Sequence, residues 1–206
     1  MELREAMTQI AEIRLQLART EVCRDFRSVP VAFSGVLAVG AAALQAAWVG
    51  NPTTQMDAYL VIWVGAAALS VAAAFAEMAL RDRQFRPAWA REKTRLVVEQ
   101  LVPCVVAGGL LTAVLSLRAP ASAWMLPGLW QVVYSLGLFS ACRLLPRGTS
   151  LVAGFYLASG LACLSVAQGP LALSAWAMGV PFGVGQMLAA AVLRRSGGGE
   201  ADDVHA

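Results

Sequence analysis

The chain has 206 residues, of which 58% are hydrophobic and 14% charged, and its formal net charge is +3. A soluble domain carries roughly 25% charged residues, and one of this length could not hide so much apolar surface from water. An ordinary soluble globular protein is therefore excluded, and lipid must be part of the solvent.

Residues 1–27 come first and are dense in charge. Leu3, Met7, Ile10, Ile13 and Leu17 recur at helical spacing, and five arginines are balanced by Glu2, Glu5, Glu12, Glu21 and Asp25. This predicts a cytoplasmic amphipathic helix lying on headgroups or pairing with a partner. It has no apolar core of the kind a signal peptide needs, and its zero net charge argues against a polybasic lipid clamp.

Residues 28–195 form the predicted transmembrane domain. Ser28–Met56, Ala58–Ala76, Gln100–Leu117 and Ala119–Cys142 carry no charge, and Gly148–Leu193 is a 46-residue run without one. A helix crosses the hydrocarbon core with about 20 apolar residues. The first four runs hold one crossing each, and the last holds two around Gln168-Gly169-Pro170. The predicted spans are about 29–49, 58–80, 96–117, 122–142, 149–168 and 173–193. Continuous runs rich in Ala and Leu favour helices, because barrel strands alternate apolar and polar residues. The tail 196–206 reads as disordered.

The loops orient these spans by their basic residues. Arg4, Arg14, Arg19, Arg24 and Arg27 precede the first span, and Arg81, Arg83, Arg86, Arg91, Lys93 and Arg95 lie between the second and third. Arg143, Arg147, Arg194 and Arg195 share that side, which collects 15 of the 16 basic residues. Both termini are then cytoplasmic. Trp48, Tyr59, Trp124 and Trp176 fall at the predicted outer ends, as an interfacial aromatic belt would. The predicted fold class is an all-α integral membrane protein with six helices in three hairpins, preceded by the amphipathic helix. An Ala- and Arg-rich chain with almost no Lys points to a bacterial inner membrane.

The hairpins suggest an internal repeat. Ser122-Ala123-Trp124 and Ser174-Ala175-Trp176 open the fourth and sixth spans, and Val29-Pro30 precedes Gly35 as Val102-Pro103 precedes Gly108. Repeats of this kind are common in transporters, although belt aromatics and helix-start prolines recur in any bundle. In architecture alone the six-helix plan resembles the acetate/succinate channel family and the bacterial urea channels. The acetate family opens with an Asn-Pro-Ala type motif, but here that place reads Ser28-Val29-Pro30-Val31, so no family motif matches and membership is not claimed.

Little in the sequence suggests intramembrane chemistry. The single histidine, His205, stands next to the C-terminus, so haem or zinc held by helix-borne histidines is excluded. The cysteines at 23, 104, 142 and 163 form no CxxC pair and read as small apolar side chains. No nucleophile–base couple, metal ligand set or phosphate loop stands out. No cofactor, no metal and no enzymatic activity are expected.

The candidate functional residues are polar groups inside spans. Gln131 and Gln186 lie deep in the fourth and sixth, with Tyr134 on the face of Gln131. They either line a neutral polar pathway or hydrogen-bond neighbouring helices. Glu77 and Glu99 sit about a turn from the cytoplasmic end, as a vestibule for a cation or proton or as ion pairs with Arg81 and Arg95. Pro103 leaves the Glu99 carbonyl without its helical donor. Gly179-x-x-x-Gly183, Gly154-x-x-x-Ala158 and Gly108-x-x-x-Thr112 predict close helix packing.

Arg86, Trp89 and Arg91 in the 81–95 loop are candidate contacts for anionic lipid or a cytoplasmic protein. Nucleic acid is not expected, since the positive-inside rule already accounts for the charge. Two functions fit: a small-solute channel or permease, and a non-transport membrane subunit or regulator that docks a partner through residues 1–27 and 81–95. The bilayer is the expected partner, and a homo-oligomer is compatible with either.

Overall fold

The apolar runs satisfy their backbone internally, which within lipid means helices. The structure is a computed structural model that describes residues 28–82, 88–146, 148–166 and 171–198, and among these every regular element is helical. In chain order they are α1 (Ser28–Trp48), α2 (Met56–Asp82), α3 (Ala88–Arg118), a 3-10 turn (Pro120–Met125), α4 (Leu126–Ala141), α5 (Thr149–Val166) and α6 (Ala175–Gly198). Ser28–Trp48, Met56–Leu80, Arg95–Arg118, Thr149–Val166 and Ala175–Ser196 are five stretches long and apolar enough to cross a membrane.

The expected fourth span, about 122–142, divides in two. Pro127 lacks an N–H and suits the first turn of a helix, so α4 starts at Leu126 and the chain reaches it through the 3-10 turn. Its 16 residues rise about 24 Å, less than the roughly 30 Å of a hydrocarbon core. The largest other shifts are outward, at α3 and at the end of α6. α3 begins eight residues before its expected apolar start, through Ala88-Trp89-Ala90-Arg91-Glu92-Lys93, most of them good helix formers. α6 runs on to Gly198, so the first residues of the expected 196–206 tail are helical. The amphipathic segment 1–27 and residues 199–206 lie outside the described residues.

Neighbouring helices follow the order α2, α1, α6, α5, α4, α3. The most extensive interface joins α1 to α6, and the next joins α4 to α5. α1–α2 and α3–α4 also pack as sequence neighbours, whereas α5 and α6 share less with each other than with α4 and α1. Small residues explain the ranking. A Cβ on Gly179 would lie 2.5 Å from that of Ala42, and one on Gly183 would lie 2.9 Å from a Val39 methyl, so α6 rides directly on α1. Gly128 and Gly160 play the same part between α4 and α5, where a Cβ on either would stand 2.9 Å from the other's carbonyl oxygen. Close backbone approach of this kind is what holds helices together in lipid.

The core lies towards the end of the bundle that carries the loop at 49–55 and the turn at 171–174, the short-loop end. There Ala38, Ala41, Ala42, Tyr59, Trp63, Leu173, Ala175 and Met178 are buried together, with Trp124, Trp130 and Phe182 against them. Trp48 and Trp176 stand exposed at this end, as belt residues do. Tyr59 does not, because its ring is wholly buried between Trp63 and Trp130.

Candidate functional site

Three buried glutamines organise the interior, each on a different helix. A glutamine amide offers two donors and one oxygen acceptor, and in a bilayer each needs a partner within the protein. On α4, Gln131 is wholly buried, and its Nε2 donates to the carbonyls of Pro127 (3.1 Å) and Ala177 (3.0 Å). Ala177 lies four residues before Pro181, which has no N–H to give it. The amide of α4 therefore supplies the hydrogen bond that the proline removes from α6.

One turn further along α4, the Tyr134 hydroxyl accepts a 3.0 Å bond from Gln186 Nε2 of α6. Tyr134 meets Tyr156 edge-on at 4.9 Å between ring centroids, and Phe182 packs on both. Tyr156 points its hydroxyl at the Phe182 carbonyl, 3.5 Å away. α6 can come this near because residue 185 is glycine, whose missing side chain leaves space for the Tyr156 ring.

The third glutamine, Gln45 on α1, was not singled out from the sequence. Its Nε2 donates to the Leu173 carbonyl at 2.7 Å, and its Oε1 accepts from Trp63 Nε1 at 2.7 Å. It thereby ties α1 to α2 and to the turn before α6. The one amide side chain within the first span, 29–49, was the available signal. α3 is held by a similar but less buried device, in which Trp130 Nε1 donates to Thr112 Oγ1 at 2.9 Å. Trp130 also stacks on Tyr59 of α2, with an interplanar angle of 6°.

Of the pathway candidates, Tyr134 and Gln186 meet, and Gln131 reaches α6 one turn away. Glu99 sits apart on α3, where it accepts a 2.6 Å bond from Arg95 on an exposed face. Glu77 is half-buried on α2. Arg86 lies outside the described residues, and Trp89 and Arg91 lie on α3 where only the backbone is described. Gly154 of the Gly154-x-x-x-Ala158 pair meets nothing within 4 Å, so that motif is unused inside the chain.

Two buried oxygens, Tyr59 Oη and Gln131 Oε1, have no hydrogen-bond partner among the described residues. A groove of about 450 Å³ opens beside the α1–α6 crossing, lined by apolar side chains including Val39, Trp176, Val180 and Met187. None of the three glutamines lines it. Among the described residues no cluster of His, Cys, Asp or Glu could hold a metal ion.

The fold and these contacts define a class, a multi-pass helical membrane protein bound together by small residues and buried amides. Comparison with protein-family models, with curated proteins and with solved structures finds no match for this chain.

Proposed function

We propose that this protein is a six-span subunit of a bacterial inner membrane, with both termini cytoplasmic, that works by docking another membrane protein and not by passing a solute. α4 with its 3-10 lead-in serves as the sixth span, and the positive-inside distribution supports the orientation. One observation carries the reading: the polar side chains that could have lined a pathway are engaged in tying helices together. Gln131 gives both amide hydrogens to carbonyls, and Gln186 gives one to Tyr134.

The docking side is formed by α2 and α3. Tyr59 and Trp63 are the only buried side chains described on α2, and Val97 is the only one on α3. Phe75, Val106 and Leu110 are about half exposed or more along this side. The basic segment 81–95 joins the two helices, so Arg86, Trp89 and Arg91 would extend the contact onto the cytoplasmic surface.

The test is site-specific photocrosslinking in native membranes, with the probe at Phe75, Val106 and Leu110 and, for comparison, at Leu151 and Leu161 of α5. Discrete protein adducts from α2 and α3 but not from α5 are expected. Equal, diffuse labelling at all five positions would contradict the proposal. So would solute flux into proteoliposomes that a Gln131→Leu variant abolishes, which would favour a small-solute channel. That second reading draws support from the unpaired Gln131 Oε1.

A further inference from the structure

The groove of about 450 Å³ beside the α1–α6 crossing has glycines in its lining, so part of its floor is bare backbone. Gly179 and Gly183 lie there, and Val39 of α1 and Val180, Val184 and Leu188 of α6 stand around them. Every lining residue is apolar or glycine. Val180, Val184, Met187 and Leu188 are each close to half exposed, so the groove opens sideways to lipid.

α6 carries this face past the groove to a pair of charges. Seven residues return a helix to nearly the same azimuth, so Arg194 follows Met187 and Arg195 follows Leu188, with exposed Ala191 between them. Both arginines are exposed, and neither has an ion pair with a described residue. Along the axis Arg195 lies about 10 Å beyond Leu188, and Trp176 about 18 Å to its other side. A headgroup layer is roughly 5–8 Å deep, and one leaflet's hydrocarbon about 15 Å. Arginines at the phosphate level therefore set Leu188 just inside the hydrocarbon, and the chains of that leaflet reach to about Val180.

Shape and charge together select the occupant. A second helix about 10 Å across would fill roughly 1,400 Å³ over the groove's length, about three times the volume on offer. An unbranched acyl chain is slender enough to sink in. At its head, two unpaired guanidiniums match a phosphate, which arginine binds through paired N–H donors. We infer that this face is a binding site for one anionic phospholipid, its phosphate on Arg194 and Arg195 and one acyl chain in the α1–α6 groove. A headgroup bearing an amine brings a like charge to the arginines and binds less tightly. The site uses none of the residues assigned to docking and stands apart from that proposal.

Native mass spectrometry of the full chain tests this, with dioleoyl phosphatidylglycerol and dioleoyl phosphatidylcholine supplied at equal concentration. The anionic lipid should be retained over the zwitterionic one on the order of tenfold, with one molecule per chain. Arg194→Gln with Arg195→Gln should remove the preference. Arg143→Gln, at an exposed arginine on the α4–α5 connection, should keep it. Val184→Trp and, separately, Val180→Trp fill the groove from exposed positions and should lower retention of the anionic lipid without lowering Tm. Inorganic phosphate should not displace it. Equal retention of the two lipids, an equal loss in Arg143→Gln, or undiminished binding by both tryptophan variants would overturn the inference.

Discussion

The spans of α2 and α3 are no less apolar than those of α1, α5 and α6, yet α1, α6, α5 and α4 are locked together and α2 and α3 are only attached. The difference is not hydrophobicity, since lipid solvates a leucine as well as another helix does. In the central group, glycines bring backbones into contact, and buried amides then reach carbonyls of the next helix. The flanking helices present valine, leucine and phenylalanine outward; α2 is fastened by Gln45–Trp63, and α3 by Trp130–Thr112 and by Cys104 seated against Gly137 of α4. Inside a bilayer, cohesion follows the absence of side chains and the placing of donors.

The sharpest way to break this contrast is a large side chain at the α1–α6 crossing. Gly179→Leu should cost more than about 3 kcal/mol or prevent assembly, because overpacking meets Ala42 at once. Folded yield in detergent and Tm would report it. Gly109→Ala on α3 meets nothing within 4 Å and should change stability by no more than about 1 kcal/mol, in the favourable direction. Equal losses at both positions would erase the distinction between the groups.

Next in size is the amide that serves the proline. Gln131→Leu should cost about 1–2 kcal/mol, measured by unfolding in mixed micelles. Pro181→Ala restores an N–H to the Ala177 carbonyl, so in that background the Gln131→Leu penalty should shrink by about 1 kcal/mol. Strict additivity of the two changes would refute the compensation. Tyr134→Phe removes the acceptor of Gln186 and should cost about 1 kcal/mol. On the flank, Thr112→Val should cost no more than about 0.6 kcal/mol, as its bond to Trp130 is only partly buried. The exposed Arg95–Glu99 pair should matter least, with Glu99→Gln shifting stability by under about 0.5 kcal/mol.

Most spans were legible because a charge-free run has one economical use in lipid. α1, α2 and α5 begin within two residues of their expected starts. Gln131, Tyr134 and Gln186 stood out by depth alone, and each proves buried or paired with another helix. What could not be read was the partner. Gln131 and Gln45 bond to the carbonyls of Ala177 and Leu173, and every residue in a sequence carries a carbonyl. For Ala177 the mark was Pro181, which points four residues back to a carbonyl without its donor, as Pro103 does for Glu99. Tyr59 was taken for a belt residue because distance from a span's end gives depth but not azimuth. Whether a ring at that depth faces lipid or core depends on neighbours that come together only in the folded bundle.

The α1–α6 crossing bears on how the protein is made. Synthesis runs along the chain in sequence order, so α1 enters the membrane before the other described helices and its principal companion, α6, emerges after them. Through the production of everything between, the glycine and alanine face of α1 has no mate, and only α2 steadies it. The amide of Gln131, by contrast, is already in the bilayer when Pro181 arrives with its carbonyl to be served. α6 is therefore the keystone of the described bundle. Its arrival closes the oldest gap and is met by a donor laid down beforehand, and a chain cut short before α6 would leave its first helix exposed to the quality-control proteases of the membrane.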